Sequence, residues 1–138
     1  MSPKHHSILT PEIRAFLAKP LIARLATIDN DGYPHVVPIW YNVDGDDIVF
    51  ISDRDNAKTR NALARPQGAV TIGGDTTDRE GYLFRGRITV LTDEGHAHTH
   101  RMIDRYENPT RAAQLKAEWA NDDIVVIRLT PIKVTRVR

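Results

Sequence analysis

Two tight-turn signals, Asn30-Asp31-Gly32 and Asp44-Gly45-Asp46, bracket the extended run Pro34 to Val43 (PHVVPIWYNV), and this punctuation constrains the chain more than any other feature. Each turn combines glycine, which accepts positive φ, with short side chains that bond their own backbone. Leu21 to Ile28 (LIARLATI) precedes the first turn, and Ile48 to Ser52 (IVFIS) follows the second. Connections this short cannot carry a crossover helix, so the three runs are expected to form an antiparallel meander. Pro38 removes a ladder donor inside the second run, which places that strand at an edge or bulges it locally. A freed edge beside Trp40 and Tyr41 would let a ligand ring approach the backbone. A barrel-rim bulge with both aromatics half-buried satisfies the same pattern.

The stretch Asp46 to Pro66 (DDIVFISDRDNAKTRNALARP) reads as that third strand, a polar turn and a helix over about 57–65. Asp55 or Asn56 is the expected N-cap, because a short acceptor satisfies amides that a first helical turn leaves unpaired. Lys58, Thr59 and Arg60 then meet free N–H groups at the positive end of the helix dipole, a sound arrangement for phosphate. An ordinary solvated helix can carry the same cations.

Upstream, residues 1–9 read as a loose tail whose His5-His6 pair is too short and too terminal for a metal site. Thr10-Pro11-Glu12 starts a short helix with a cap hydroxyl, a proline at the first position and an early acid. Ile13, Phe16 and Leu17 share its inner face, and Pro20 ends it. Downstream come a strand over 68–72, a polar loop over 73–78, and the longest strand candidate, Tyr82 to Thr92. Tyr82, Phe84, Gly86, Ile88 and Val90 alternate to one face, with Arg85 and Arg87 on the other. Gly86 fits a sharp bend or a close neighbour. Arg85 and Arg87 reach either an anion, a partner subunit or solvent. Two helices, about 94–106 and 110–120, are separated by Asn108-Pro109. Ile124 to Leu129 and a last piece, IKVTRV, end the chain. This order is too rich in hairpins for a doubly wound sheet. A mainly β, α+β domain over residues 1–138 is expected, six antiparallel strands in a closed or split barrel with peripheral helices.

Composition narrows function. Nineteen Lys plus Arg against 18 Asp plus Glu argue against a partner held through phosphate neutralisation, so no nucleic acid is expected. The chain has no cysteine, no signal-peptide pattern and no window of roughly 20 apolar residues. A cytoplasmic protein without a membrane partner is the expectation. His96 and His100 would share a helix face as zinc ligands can, but with no convincing third ligand no metal site is expected. GxSxG, GxGxxG and GxxxxGK[ST] are all missing. No acid sits isolated in an apolar strand, where a raised pKa would mark proton transfer. The hard chemistry therefore points to a bound cofactor.

ATIDNDGYPHVVPIWYNVDGDDIVFISDRDNAKTRNALARP, with YLFRGRITV downstream, resembles the pyridoxamine 5'-phosphate oxidase-like family. More narrowly it resembles the short flavin- and deazaflavin-dependent oxidoreductases of the FMN-binding split-barrel fold. The resemblance covers about Thr10 onward, and its most specific parts are the first hairpin and the KTRN helix start. It implies a homodimer of six-stranded split barrels with the cofactor, FMN or coenzyme F420, at the subunit interface. It further implies that Lys58 and Thr59, supported by Ser52 and Arg60, hold the cofactor phosphate, and that Val37, Pro38, Ile39 and Trp40 lie along the ring. Tyr82–Arg85 and the Trp119 region would reach in from the second subunit. Members that oxidise pyridoxamine phosphate are longer and carry a basic C-terminal segment; with the chain given ending at Arg138, vitamin B6 oxidation is not expected. The reading is an oxidoreductase moving a hydride between the cofactor and a small-molecule substrate. The alternative is a non-catalytic flavin-, haem- or tetrapyrrole-binding protein on the same fold.

Overall fold

The computed structural model describes residues 7–137. Among them four α-helices surround one mainly antiparallel seven-stranded sheet, ordered β2-β1-β5-β6-β7-β4-β3. The elements are α1 (Pro11–Leu17), β1 (Ala23–Ile28), β2 (Pro34–Ile39), β3 (Asn42–Asp44), β4 (Asp47–Asp53), α2 (Ala57–Ala64), β5 (Gln67–Gly73), β6 (Gly81–Thr92), α3 (Ala97–Tyr106), α4 (Pro109–Glu118) and β7 (Ile124–Arg136). A 3-10 turn, Glu94–His96, leads into α3.

The sheet curls into a split barrel with seven strands where six were expected. The extra strand arises at Trp40-Tyr41, where the run Pro34 to Val43 turns a corner. Its first half, β2, pairs only with β1, and its second half, β3, only with β4. The two halves end as opposite edges of the sheet, so the expected three-strand meander does not form. The corner has a tertiary cause. The Tyr41 ring is fully buried and its hydroxyl donates to the Lys19 carbonyl, while Arg105 Nε donates to the Tyr41 carbonyl (3.0 Å) and Tyr41 N–H donates to the Tyr106 hydroxyl (3.2 Å). These ties occupy backbone groups that a continuous ladder would use. Pro38 does sit in an edge strand, where its missing N–H costs no ladder bond.

The last two extended pieces are one strand. β7 runs through Pro131 because its pairing with β6 shifts there: Gly86 faces Pro131 and Arg85 faces Lys133, which leaves Ile132 outside the register and 67% exposed. Such a bulge absorbs the proline. A Cβ on Gly86 would lie 2.1 Å from the Thr130 carbonyl oxygen, so the close-neighbour reading of this glycine holds.

The alternation read in β6 holds too: Tyr82, Phe84 and Ile88 point inward, Arg85 and Arg87 outward. With Leu25, Phe50, Val70, Ile72, Val125, Ile127 and Leu129 they fill the barrel. Burying each such side chain is worth about 1.5–3 kcal/mol before chain entropy is deducted. Leu9, expected in the loose tail, is 2% exposed and belongs to this core; residues 1–6, with His5-His6, lie outside the described residues. Ile103, Ala112 and Leu115 make a small satellite core between α3 and α4, flanked by Trp40 and Trp119. No helix among the described residues is long and apolar enough to cross a membrane.

Candidate functional site

A cleft of about 510 Å³ opens where the barrel is split. It is lined by the end of β2 (Pro38, Ile39, Trp40), the end of β4 (Ile51, Ser52, Asp53), the start of α2 (Asn56, Lys58) and the turn between α4 and β7 (Trp119, Asp122). Ile22 and Ile124 complete it. The volume suits a small molecule or cofactor.

The polar end follows from local sequence. Thr59, fully buried in the first turn of α2, donates to the Asp53 carbonyl (2.8 Å) and lies 2.9 Å from the Ser52 hydroxyl. This tie docks the helix start onto the end of β4. Asn56 has the extended backbone of an N-cap, but its side chain makes no capping bond. It turns instead toward the Ser52 hydroxyl (3.4 Å). The amides of Ala57, Lys58 and Thr59 consequently have no acceptor among the described residues, while Arg60 N–H bonds the Asn56 carbonyl. Half-buried Lys58 stands beside them, its ammonium without a hydrogen-bond acceptor among the described residues. Burial pushes its pKa below the usual lysine value, and the Asp53 carboxylate offsets part of that shift. Free amides, a helix dipole and a cation without a hydrogen-bonded partner among the described residues are together suited to an anion.

The apolar end is held from a distance. Trp40 stacks on Tyr106 with ring centroids 4.9 Å apart and planes 5° from parallel. Tyr106 donates to the Leu21 carbonyl (2.6 Å) and accepts from Tyr41 N–H (3.2 Å). Arg105 forks across the carbonyls of Leu17, Ala18 and Lys19 at the end of α1. Its guanidinium also lies against the rings of Tyr41 and Tyr106. Burial, reinforced by the neighbouring Tyr106 and opposed by Arg105, pushes the Tyr41 phenol up to about 12, so it remains a donor. The indole of Trp40 is thereby fixed as a flat wall, with Trp119 also on the cleft.

Five of the residues singled out in the sequence meet in this cleft: Pro38, Ile39, Trp40, Ser52 and Lys58. Three do not line it. Val37 packs on the barrel core, Thr59 is buried beneath the helix start, and exposed Arg60 turns back to the Asp55 carbonyl. Tyr82 and Phe84 are core residues, 4% and 0% exposed. Trp119 lines the cleft of its own chain. As cleft residues, sequence reasoning missed Ile22, Ile51, Asp53, Asn56, Asp122 and Ile124; Asn56 and Asp53 carried a signal in their nearness to the helix start, the other four none. His96 does not join His100 on a helix face: it precedes α3 in a left-handed conformation (φ 54°, ψ 32°), its ring edge-on to His100 at 6.2 Å.

The chemistry available here is binding and orientation. Anion donors cluster at one end and flat apolar walls form the other, with Asp53 and Asp122 the carboxylates of the lining.

Comparison with known proteins bears on the family and the fold. The family model described as pyridoxamine 5'-phosphate oxidase matches residues 9–138. A pyridoxine/pyridoxamine 5'-phosphate oxidase of Pseudomonas fluorescens is 29% identical over 105 residues, 75% of this chain. The match spans only 45% of that relative's length. Among solved structures, one described as an F420 reductase superposes with a TM-score of 0.71 at 26% identity, covering 97% of this chain and 98% of its own. HutZ, the heme storage protein from Vibrio cholerae, superposes with a TM-score of 0.68 at 18% identity, covering 93% and 94%, a likeness of fold alone.

Proposed function

The chain belongs to the pyridoxamine 5'-phosphate oxidase family, and from that premise we propose that it is an oxidoreductase whose cleft holds FMN or coenzyme F420. The observation that carries the reading is the start of α2: three amides without acceptors and the half-buried Lys58 ammonium, at one end of a cleft whose other walls are Trp40 and Trp119. A phosphate satisfies the amides and the ammonium at once. Ser52 and Asn56 add a hydroxyl and an amide at the same end, and Thr59 holds the helix start in place from below. Pro38, Ile39 and Trp40 offer a planar ring an apolar bed.

The ring, when bound, supplies hydride transfer to or from a small-molecule substrate. The protein's own residues bind the phosphate, orient the ring and keep water from its covered face. A homodimer with the site at the subunit boundary is part of the proposal. It is supported by apolar surface on the outer sheet face, where Val36 is 58% exposed beside half-buried Ala26 and Ala69.

Absorbance and fluorescence titration of the purified protein with FMN and, separately, coenzyme F420 tests this. Saturable binding of one, followed by its reduction by a nicotinamide donor or a reduced-F420 system and turnover on an acceptor, is the expected outcome. Binding of neither removes the proposal. Binding without turnover favours the second reading, a carrier or store for a flavin, haem or tetrapyrrole. That reading is supported by the fold shared with a heme storage protein.

A further inference from the structure

The turn that carries Trp119 and Asp122 into the cleft is gripped from behind. Three successive residues each have a tie on the side away from the cleft. Asp93 N–H donates to the Ile124 carbonyl (3.0 Å). Arg54 donates from its backbone N–H to the Asp123 carbonyl (3.0 Å) and from its guanidinium to both Asp123 carboxylate oxygens (2.7 and 3.2 Å) and the Thr92 hydroxyl (2.8 Å). His96 Nε2 lies 3.0 Å from the Asp122 carbonyl oxygen. A carbonyl only accepts, so Nε2 carries the proton and donates.

These ties are unequal in what they control. Ile124 starts β7 and faces Asp53 at the end of β4, and Asp123, immediately before it, is held by Arg54. Asp122 precedes the strand, and among the described residues the His96 ring is the one group bonded to its carbonyl. Asp122 and Ile124 are also shared lining: one side forms the cleft, the other a groove with His96, His100 and Lys116. The turn is thus a wall between two open spaces: Trp119 is seated on the α3–α4 core and Asp122 N–H donates to the Trp119 carbonyl (3.0 Å), while on the far side the Asp122 carbonyl is held by His96.

His96 is also the only non-glycine among the described residues with positive φ. Left-handed backbone at a bulky side chain is costly and persists where surrounding structure holds it. Neighbouring Gly95 adopts the same region at φ 62°. Two consecutive left-handed residues swing the chain out of the 3-10 turn and present the imidazole to the back of the wall, where His100 meets its edge. Asp93 fixes the far side of this turn: its carboxylate accepts from His98 N–H (3.0 Å) and from the Thr99 N–H (2.9 Å) and hydroxyl (2.7 Å).

We propose that His96 is a positioning residue, which sets the Trp119–Asp122 wall of the cleft from its far side. That the wall closes on a cofactor ring rests on the function proposed above; that His96 places the wall does not.

Two substitutions separate side chain from backbone. His96→Gly relieves the left-handed strain, so it folds at least as well as the parent, but deletes the donor. His96→Gln keeps a side-chain N–H at comparable reach. Both are made in a Trp40→Phe background, where Trp119 is the sole tryptophan, and Trp119 emission and acrylamide quenching are read on ligand-free protein. His96→Gly is expected to red-shift the emission and raise the quenching constant, with His96→Gln at the parent values. FMN binding should weaken about two- to tenfold in His96→Gly, the equilibrium factor of one neutral hydrogen bond, and recover in His96→Gln. Parent-like emission and quenching in His96→Gly overturn the proposal, as does failure of His96→Gln to restore them. If the parent binds no FMN, the cofactor reading fails, while the ligand-free tryptophan readings still decide the role of His96.

Discussion

Replacing Lys58 with methionine separates two effects that most site mutations confound. The ammonium is half-buried, has no hydrogen-bond acceptor among the described residues, and is held below the usual lysine pKa by burial, with Asp53 opposing. In the ligand-free protein it is a cost rather than a support, since desolvation is not compensated by a close partner. Methionine preserves most of the stem's contact without the charge, so ligand-free stability should stay within about 0.5 kcal/mol or rise. With phosphate present the balance reverses. A charge-assisted hydrogen bond is worth about 1.5–3 kcal/mol, or about ten- to 150-fold in affinity. The sign of the pH dependence follows from the same shift. Between the lowered folded pKa and the unfolded value near 10.5, the unfolded chain binds more protons at this residue, so its contribution to stability rises with pH. Phosphate binding prefers the ammonium, so FMN affinity falls across that window. FMN fluorescence titrations from neutral to alkaline pH, paired with thermal melts, would show both slopes in the parent and neither in Lys58→Met. If Lys58→Met bound FMN within twofold of the parent, or kept the alkaline loss of affinity, the start of α2 would not be the phosphate site.

Thr59→Val should cost about 1–3 kcal/mol, because the Asp53 carbonyl and Ser52 hydroxyl lose a buried partner at constant volume; urea denaturation measures it, and FMN affinity should fall as the helix start loosens. Gly86→Ala places a Cβ 2.1 Å from the Thr130 carbonyl oxygen and should destabilise by about 3 kcal/mol, read as an earlier denaturation midpoint. Arg105→Lys keeps the charge but cannot span the Leu17, Ala18, Lys19 and Tyr41 carbonyls. A loss of about 1–3 kcal/mol in a thermal melt is expected, with Trp40 emission shifted as its stack on Tyr106 relaxes.

What the sequence made legible was what short-range chemistry decides. Thr10 caps α1, as expected, by accepting from Ile13 N–H at 3.2 Å; Asn108, read only as part of a breaker, caps α4 by accepting from Arg111 N–H at 2.8 Å. Pro109, read only as a breaker, is the first residue of α4, as proline's fixed φ allows. Pro38 marked an edge, and the β6 alternation marked the core face. The corner at Trp40-Tyr41 was hidden because PHVVPIWYNV is a good strand throughout; what breaks it is a buried phenol and an arginine more than 60 residues away in sequence. The continuity of β7 was hidden behind Pro131, which the bulge at Ile132 accommodates. At the site, Lys58 was readable, with Ser52 added by the family resemblance, because the seven residues from Ser52 to Lys58 build that end from strand, turn and helix. Asp122 and Ile124 were not, since only the closing of the barrel brings the start of β7 beside the end of β4.

This division has a consequence for how the site responds to change. The anion end is made by neighbours in sequence, Ser52 to Thr59, and depends on one turn and one helix start. The apolar end depends on contacts between α1, α3, the β2–β3 corner and the α4–β7 turn. Damage to outlying packing, as at Arg105 or His96, should therefore loosen the ring walls while leaving the phosphate donors in place. The reverse holds for Lys58 and Thr59, which alter the anchor without moving Trp40. A fold built this way can keep a local anchor and vary the walls facing the ring. Substitutions in the α3–α4 segment are then the ones to compare in testing the ring and substrate proposed for this cleft.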